Sequence, residues 1–195
     1  VRVPVVSGWN TAGAAVIEAP AIRIEPLDQA PLRTALLGVA SYQWLVVTSR
    51  NAVELLWSAL RELGLDARAL AAAKLCAVGP ATADALLAHG LAVDLIPDRY
   101  VAEGVIARMR ERDDVRGARV LFARAAGARE LLPAALREMG ATVDEVEIYA
   151  AVPDLSGLGS LTAAVDAGTV DLVTFTSAST VRYFVEALGA ERARA

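Results

Sequence analysis

The sequence predicts an α/β protein made of two parallel-sheet lobes, related by internal duplication and joined by a two-stranded β linker. Short apolar runs alternate with helical patterns along the chain, which is typical of a parallel sheet with helices on both faces. Two further segments alternate polar and apolar residues, have no helix directly attached and end in proline. These two segments are predicted to form the linker.

The duplication is visible as a repeated pattern with a nearly constant spacing. Each linker segment follows a Gly-Ala-x-Val sequence, and superposing Gly13 on Gly140 also superposes Pro26 on Pro153, a shift of 127 residues. The predicted division is therefore a central lobe of residues 27–145, a discontinuous lobe of residues 1–20 and 154–195, and linker strands at 21–26 and 146–153.

The two copies differ in length, and this predicts that the discontinuous lobe is incomplete. From Arg119 to Gly140 the second copy spans 21 positions, whereas the first copy spans only 11 from Arg2 to Gly13. We expect about ten residues near Ser7–Thr11, and a C-terminal βαβα stretch, to be absent from this chain.

The strands are predicted where four to six mostly apolar residues follow one another, and the helices where apolar residues recur every three or four positions. Several of these helices end next to a glycine, which favours a helix stop. The strands, besides the linker, are Trp44–Thr48, Lys74–Val78, Val93–Ile96, Arg119–Ala123 and Val170–Phe175. The helices are 52–63, 80–89, 102–111, 130–139 and 181–188.

Composition excludes several classes of function. The net charge of −4 argues against nucleic-acid binding. The single cysteine, Cys76, excludes a disulfide framework and is expected to be a buried structural thiol. With His89 the only histidine, no zinc cluster, Cys-His dyad or Ser-His triad can form. Without an apolar run of about 20 residues or a signal peptide, the expectation is a cytoplasmic protein without a membrane span.

The candidate binding residues lie where strands turn into helices. In open parallel sheets ligands bind beyond the carboxyl ends of the strands, where helix N-termini present free N–H groups to anions. The Thr-Ser pair at residues 48–49 recurs at 176–177. The candidates in the four corners are Thr48, Ser49, Asn51, Val78, Gly79, Thr82, Arg124, Gly127, Thr176, Ser177 and Ser179.

For each corner a simpler interpretation stays open, because Ser49, Asn51, Thr82, Ser177 and Ser179 are also ordinary helix N-cap residue types. Four similar corners favour a ligand with several anionic groups. Tyr149, in the second linker strand, is the single candidate for acid–base chemistry, because a phenol can donate a proton. The alternative is an aromatic that packs across strands.

Four motifs in this order resemble the uroporphyrinogen-III synthase family: Val-Val-Thr-Ser-Arg-Asn-Ala-Val from residue 46, Ala-Val-Gly-Pro-Ala-Thr-Ala from 77, Val-Glu-Ile-Tyr from 146 and Thr-Phe-Thr-Ser-Ala-Ser from 174. The resemblance covers nearly the whole chain. It implies two α/β lobes on a two-stranded linker and a cytoplasmic lyase, expected to be monomeric. That enzyme cyclises the linear tetrapyrrole hydroxymethylbilane to uroporphyrinogen III, with inversion of ring D and without cofactor or metal.

The resemblance also implies roles for the candidate residues. Tyr149 matches the family tyrosine and would assist departure of the terminal hydroxyl as an acid. The corner residues would hold the eight carboxylates of the substrate, with Arg50 or Arg124 able to add a charge-assisted bond. Two alternatives remain: a non-catalytic module that binds a tetrapyrrole or another polyanion, and a bilobal protein that closes on a small metabolite.

Overall fold

The computed structural model describes residues 13–154, 156–175, 178–189 and 192–194, with the backbone alone at 178, 179 and 194. The chain divides into two compact units, Ile24–Ala150 and Val1–Arg23 with Ala151–Ala195. The first unit contains a sheet with helices on both faces. The prediction for Ser7–Thr11 lies outside the described residues.

Five strands form one sheet in the described ranges, in the order β1-β5-β4-β2-β3. They are β1 Ile22–Pro26, β2 Trp44–Val47, β3 Lys74–Ala77, β4 Arg119–Ala125 and β5 Thr142–Pro153. Strands β3, β2, β4 and β5 run parallel. Bonds from Leu27 N to Ile148 O and from Asp154 N to Ala21 O show that β1 runs antiparallel to β5, so the sheet is mixed.

Seven α-helices are present in the described part of the chain: α1 Ala30–Leu37, α2 Arg50–Glu62, α3 Pro80–Ala88, α4 Ala102–Arg110, α5 Leu131–Glu138, α6 Leu158–Asp166 and α7 Ala178–Leu188. Their starts follow local chemistry. Ser49 caps α2 through its side chain, and Pro80 opens α3 at a position where no backbone N–H is needed. Gly64, at φ +70°, lies just beyond the end of α2 in a conformation that favours glycine.

The sheet of the central unit buries both faces, as alternation along β2 shows. Leu45 and Val47 belong to a core with α1, α2 and α3, and this side is called the α2 face. Trp44 and Val46 belong to a second core with α4 and α5, on the side called the α5 face. Because both faces are covered, β2 is entirely buried, which accounts for its continuous apolar sequence.

Most predicted elements are present, and two predicted strands are wrong. Val93–Ile96 forms only an isolated bridge, between Leu95 and Cys76. Residues 170–175 form no strand, and Leu172 is 67% exposed. A parallel strand is stabilised by hydrogen-bonded neighbours, and in the described ranges neither segment has a strand ladder. Helices α1 and α6 were not predicted.

Within the described residues, no helix is both long enough and apolar enough to span a membrane. Cys76 is buried, as predicted, and burial raises the pKa of its thiol to about 12 although Arg112 opposes the shift. Such a thiol stays protonated at neutral pH and is a packing residue of the α5 face.

Asp114 connects the loop before β4 to the start of β3. Its carboxylate accepts two bonds from Arg112, each 3.0 Å long, and pairs with Lys74. Hydrogen bonds and the charges of these two cations lower the pKa of Asp114 to about 2, against a smaller opposing effect of burial. A carboxylate with a lowered pKa stabilises the fold above its unfolded-state pKa, and that stabilisation is lost as the pH falls toward the folded value.

We expect Asp114→Asn to destabilise the protein by about 1 kcal/mol near pH 6, after allowance for solvent screening of these partly exposed groups. The difference from the wild type should shrink between pH 4 and pH 2, because protonated Asp114 no longer pairs strongly with cations. Urea unfolding at several pH values measures this. The exposed neighbour Asp113, changed to Asn, is the control and should have little effect throughout. A constant deficit for Asp114→Asn would contradict the assignment.

Candidate functional site at the carboxyl edge of the sheet

The carboxyl ends of four parallel strands meet at one edge of the central unit. Val47 of β2 pairs with Ala77 of β3 and with Ala123 of β4, while Ala125 of β4 pairs with Tyr149 of β5. The corners that follow β2, β3 and β4 therefore lie along the same edge as Tyr149. This edge is where a parallel sheet offers helix N-termini to a ligand.

A bulge in β5 determines where Tyr149 points. Arg124 pairs with Glu147 but Ala125 pairs with Tyr149, so β5 has one extra residue, Ile148, at this step. In a regular strand adjacent residues point to opposite faces. Here both Ile148 and Tyr149 belong to the core of the α2 face. The bulge thus turns the tyrosine away from the α5 face and toward the start of α2.

The phenol of Tyr149 meets the hydroxyl of Ser49 there. Tyr149 Oη and Ser49 Oγ lie 2.9 Å apart, and either hydroxyl can donate. Ser49 Oγ also accepts from the N–H of Ala52 at 3.1 Å, the bond that caps α2. Tyr149 is 7% exposed, so its ring is held by the core while its oxygen lies at the edge. One serine thus serves both the helix and the tyrosine.

The other predicted residues of the first corner occupy positions around this pair. Thr48 follows β2 and is half-buried, whereas Asn51, in the first turn of α2, is exposed. Ser49, not Asn51, is the cap residue of this helix. The expectation that Ser49 is an N-cap is therefore confirmed, and its bond to Tyr149 is additional to that role.

The second corner is built by Val78, Gly79 and Thr82. Val78 donates its N–H to Val47 O, and Gly79 is the residue before the first turn of α3. Gly79 has an extended backbone, and a Cβ placed there would lie 3.5 Å from Tyr100 Cβ, an ordinary contact. Thr82 is 5% exposed and lies within the buried side of α3. Of the three, Val78 and Gly79 are the more accessible.

The third corner contains Arg124 and Gly127, and Arg124 is enclosed by carboxylates. Arg124 is 4% exposed. Its guanidinium bonds to Glu145 and Glu130 at 2.5 Å each, lies 3.5 Å from Glu147 and donates to Ala128 O. Burial lowers the pKa of Arg124, but the bond to Glu130 and the charges of the glutamates outweigh it and raise the pKa overall. The two terminal nitrogens of Arg124 thus donate within the protein, whereas its Nε is buried without a partner.

Gly127 lies in the loop between β4 and α5 with φ at +67°, the left-handed region that favours glycine. Its N–H donates to Glu147 Oε1 at 3.2 Å. The neighbouring Ala126 N donates to Tyr149 O at 2.7 Å. Two consecutive backbone donors of this loop are thus fixed on β5.

The fourth predicted corner falls on residues that the structure leaves undescribed. Thr176 and Ser177 lie outside the described residues, and only the backbone of Ser179 is described, at the start of α7. The edge described here therefore belongs entirely to the central unit.

Three residues near the site were missed from the sequence. Tyr100 lies beside Gly79. Gly104 in α4 lets the carbonyl of Arg99, which precedes the helix, approach it closely, because a Cβ at Gly104 would lie 2.0 Å from Arg99 O. Gln29 donates its side-chain amide to Ile148 O at 2.9 Å, from the side of the bulge opposite β4. Only the glycine in a helical pattern offered a sequence signal, since such a residue often marks a close approach.

His89 and the acidic residues form no additional centre. His89 stacks on Trp57 with ring centroids 4.6 Å apart and bonds to Glu54, away from the carboxyl edge. Within the described ranges no group of three or more His, Cys, Asp or Glu residues is arranged to hold a metal ion.

Comparisons of the sequence with known proteins all identify the same protein family. A family model described as uroporphyrinogen-III synthase HemD matches residues 6–195. A uroporphyrinogen-III synthase of Synechococcus elongatus is 34% identical over 190 residues, which are 94% of this chain and 69% of that protein. The porphyrin biosynthesis protein HemD of Ruminiclostridium josui is 32% identical over 181 residues, 90% of this chain and 35% of that protein.

A solved structure shows the same fold. A mutant uroporphyrinogen III synthase of Thermus thermophilus matches with a TM-score of 0.66 at 24% identity, covering 93% of this chain and 71% of that one. The likeness supports the α/β architecture with its mixed sheet and helices.

We expect Gly104→Ala to destabilise the protein by more than about 2 kcal/mol, because the added methyl group collides with the Arg99 carbonyl. Gly38→Ala is the matched control in the same unit, since its nearest neighbour would be 3.7 Å away. Thermal unfolding compares the two. Equal stability of both variants would show that the close approach of the Arg99 carbonyl to Gly104 is not required for the fold.

A double-mutant cycle tests the Ser49–Tyr149 bond. Ser49→Ala should cost about 2 kcal/mol of unfolding free energy, because it removes both a helix cap and a hydrogen bond, and Tyr149→Phe about 1 kcal/mol. The double variant should lose less than the sum of the two, by about 1 kcal/mol. Ser58→Ala, on the exposed side of α2, is the control and should cost under about 0.5 kcal/mol. Strict additivity would show that the bond contributes nothing.

Proposed function

Since this chain belongs to the uroporphyrinogen-III synthase family of heme and porphyrin biosynthesis, we propose that it cyclises hydroxymethylbilane to uroporphyrinogen III. In this reaction the terminal hydroxyl leaves as water and ring D is inverted, which makes the protein a lyase. The observation that carries the proposal is the hydroxyl pair of Tyr149 and Ser49 at the carboxyl edge of the sheet.

The first step that the site serves is departure of the hydroxyl. Tyr149 donates its proton to the leaving oxygen as the carbon–oxygen bond breaks, so that the products are water, the Tyr149 phenolate and an azafulvene in its protonated, cationic form. Ser49 Oγ lies 2.9 Å from the phenol oxygen and donates a hydrogen bond to the phenolate that remains. The proton returns to Tyr149 when the macrocycle regains its aromatic pyrrole rings.

The later steps need positioning more than further acid or base. Ring closure through a spiro intermediate competes with direct head-to-tail closure, and the outcome depends on how the linear chain is folded when the azafulvene forms. A site that holds the carboxylates at several fixed points selects that folded form. The separate strand ends of this sheet edge supply such points.

The substrate carboxylates are held mainly by neutral donors. The N-terminal turns of α2 and α3 present backbone N–H groups, and anions are stabilised at such positions. We assign this role to the first two corners, and retain it for the fourth corner. The residues are Thr48, Ser49, Asn51, Val78, Gly79, Thr82, Thr176, Ser177 and Ser179. Gly127 is not assigned to the substrate, because its N–H donates to Glu147. Arg50 is exposed beside Ser49 and adds a cation, whereas Arg124 is used by internal carboxylates.

The proposal retains the two-lobe organisation predicted from the duplication. Its support is the division into two compact units, whose boundaries at 23/24 and 150/151 fall within β1 and within β5. Strands β1 and β5, neighbours in the sheet, are the proposed linker.

Incubation with hydroxymethylbilane, followed by oxidation and separation of the uroporphyrin isomers, tests the function. The expected product is the III isomer, formed faster than the spontaneous I isomer. Formation of the I isomer alone, at the rate of the buffer control, would reject the enzyme and leave a module that only binds the tetrapyrrole.

Tyr149→Phe should lower kcat at least about 100-fold, because the acid is removed while the ring and its packing remain. Tyr42→Phe is the matched control. Tyr42 is also buried, but it precedes β2 and donates its hydroxyl to Asp144 at 2.6 Å, away from the carboxyl edge. Its activity should stay close to the wild type at a temperature where both variants are folded. A kcat for Tyr149→Phe within twofold of the wild type would remove the assigned role.

A further inference from the structure

We infer that Arg124 is a positioning residue for the reaction: it fixes the bulge of β5 and the loop after β4, and through them the phenol of Tyr149. The inference rests on the proposed function and extends it to a residue that does not touch the reacting atoms. Its basis is the set of bonds that joins Arg124 to both sides of the bulge.

Arg124 occupies the last regular position before the register changes. It pairs with Glu147 across the sheet, and the next residue of β4, Ala125, already pairs with Tyr149. The guanidinium lies on the α5 face, where it bonds to Glu145 and approaches Glu147 of β5. Glu145 and Glu147, the two residues of β5 that point to the α5 face just before the extra residue Ile148, are thereby held against β4.

The same guanidinium holds the loop that follows. It donates to Ala128 O at 3.1 Å and bonds to Glu130, the residue before α5. Glu147 completes the connection by accepting the N–H of Gly127. Residues 126–130 are thus folded back over the end of β4, which places Ala126 N on Tyr149 O at 2.7 Å.

Arg124 is an unusual choice for purely structural packing. A buried guanidinium stabilises a fold only when its partners compensate for the loss of solvent, and replacement by apolar residues is often neutral. Here one arginine joins two positions of a strand, a loop carbonyl and a helix start. A planar fork with several donors can make these bonds simultaneously, whereas a lysine ammonium cannot reproduce their geometry.

The displacement expected without this network is small, but the reaction is sensitive to it. Tyr149 must keep its oxygen within reach of both Ser49 and the leaving hydroxyl, and a shift of about 1 Å can lower a rate about 100-fold. Loss of the Arg124 guanidinium therefore lowers kcat more than it weakens substrate binding, because the corners that follow β2 and β3 do not contact Arg124 and keep their structure.

The test compares Arg124→Lys with Arg137→Lys. Arg137 also bonds to Glu145, at 2.6 Å, but its other contact is Val143 O, away from the bulge and the loop. We expect Arg124→Lys to lower kcat by about 10- to 100-fold with KM within about threefold of the wild type. Arg137→Lys should leave both constants within twofold. A kcat of Arg124→Lys within twofold of the wild type, or an equal loss in Arg137→Lys, would overturn the inference.

Amide hydrogen exchange supplies a readout that does not depend on activity. In Arg124→Lys the amides of Ala126 and Gly127 should exchange at least about tenfold faster, whereas those of α2 should be unchanged. Unchanged exchange at both amides would overturn the inference even if activity fell. If the wild type formed no uroporphyrinogen III, the proposed function would fail, and the exchange data alone would decide whether Arg124 fixes the loop.

Glu147→Ala is the second variant, for use if Arg124→Lys does not fold. It removes the acceptor of the Gly127 N–H and leaves Arg124 paired with Glu145 and Glu130. We expect the same loss of kcat and the same faster exchange of the amides of Ala126 and Gly127. A kcat within twofold of the wild type, or unchanged exchange at both amides, would overturn the inference. Glu147→Gln, which keeps an oxygen acceptor, should restore most of both.

Discussion

The arrangement of the carboxyl edge depends on one irregular step in the pairing of β4 and β5. The extra residue at Ile148 lets two consecutive side chains of β5 enter the same core. Ile148 is fully buried in the core of the α2 face, and Tyr149 reaches the cap residue of α2. A regular strand would place the phenol against α5, where the sheet carries the Arg124 network instead. The sheet thus separates the hydroxyl pair on one face from a cluster of paired charges on the other.

Under the proposed function, that separation would let a protein with a net charge of −4 accept a polyanion. The glutamates of β5 are bound to Arg124 and Arg137 on the α5 face and do not point toward the hydroxyl pair. On the α2 face, helix N-termini and hydroxyls offer hydrogen bonds without requiring buried cations to be desolvated.

Much of this could be predicted from the sequence, for identifiable reasons. The strands at Trp44, Lys74 and Arg119 are buried on both faces and therefore appear as apolar runs, and Ser49 before a helical pattern indicates a cap. Arg124 was assigned to the ligand because a cation at a strand end suggests an anion site. Two of its three glutamate partners, Glu145 and Glu147, lie 21 and 23 residues away and become neighbours only through the pairing of β4 with β5. The bulge leaves no local signal, since Ile-Tyr is equally compatible with regular pairing. Val93–Ile96 failed because its composition suits a strand while its pairing with β3 is limited to one bridge.

The extra residue at Ile148 also bears on how this site could be moved to another protein. The four residues Val-Glu-Ile-Tyr, grafted into an evenly paired strand, would present the tyrosine to the wrong layer of the host. The unit to transfer is the bulge together with the neighbouring strand β4. The tyrosine side chain points toward α2 because one extra residue lies between Glu147 and Tyr149, the partners of adjacent residues of β4, and not because the residue is a tyrosine.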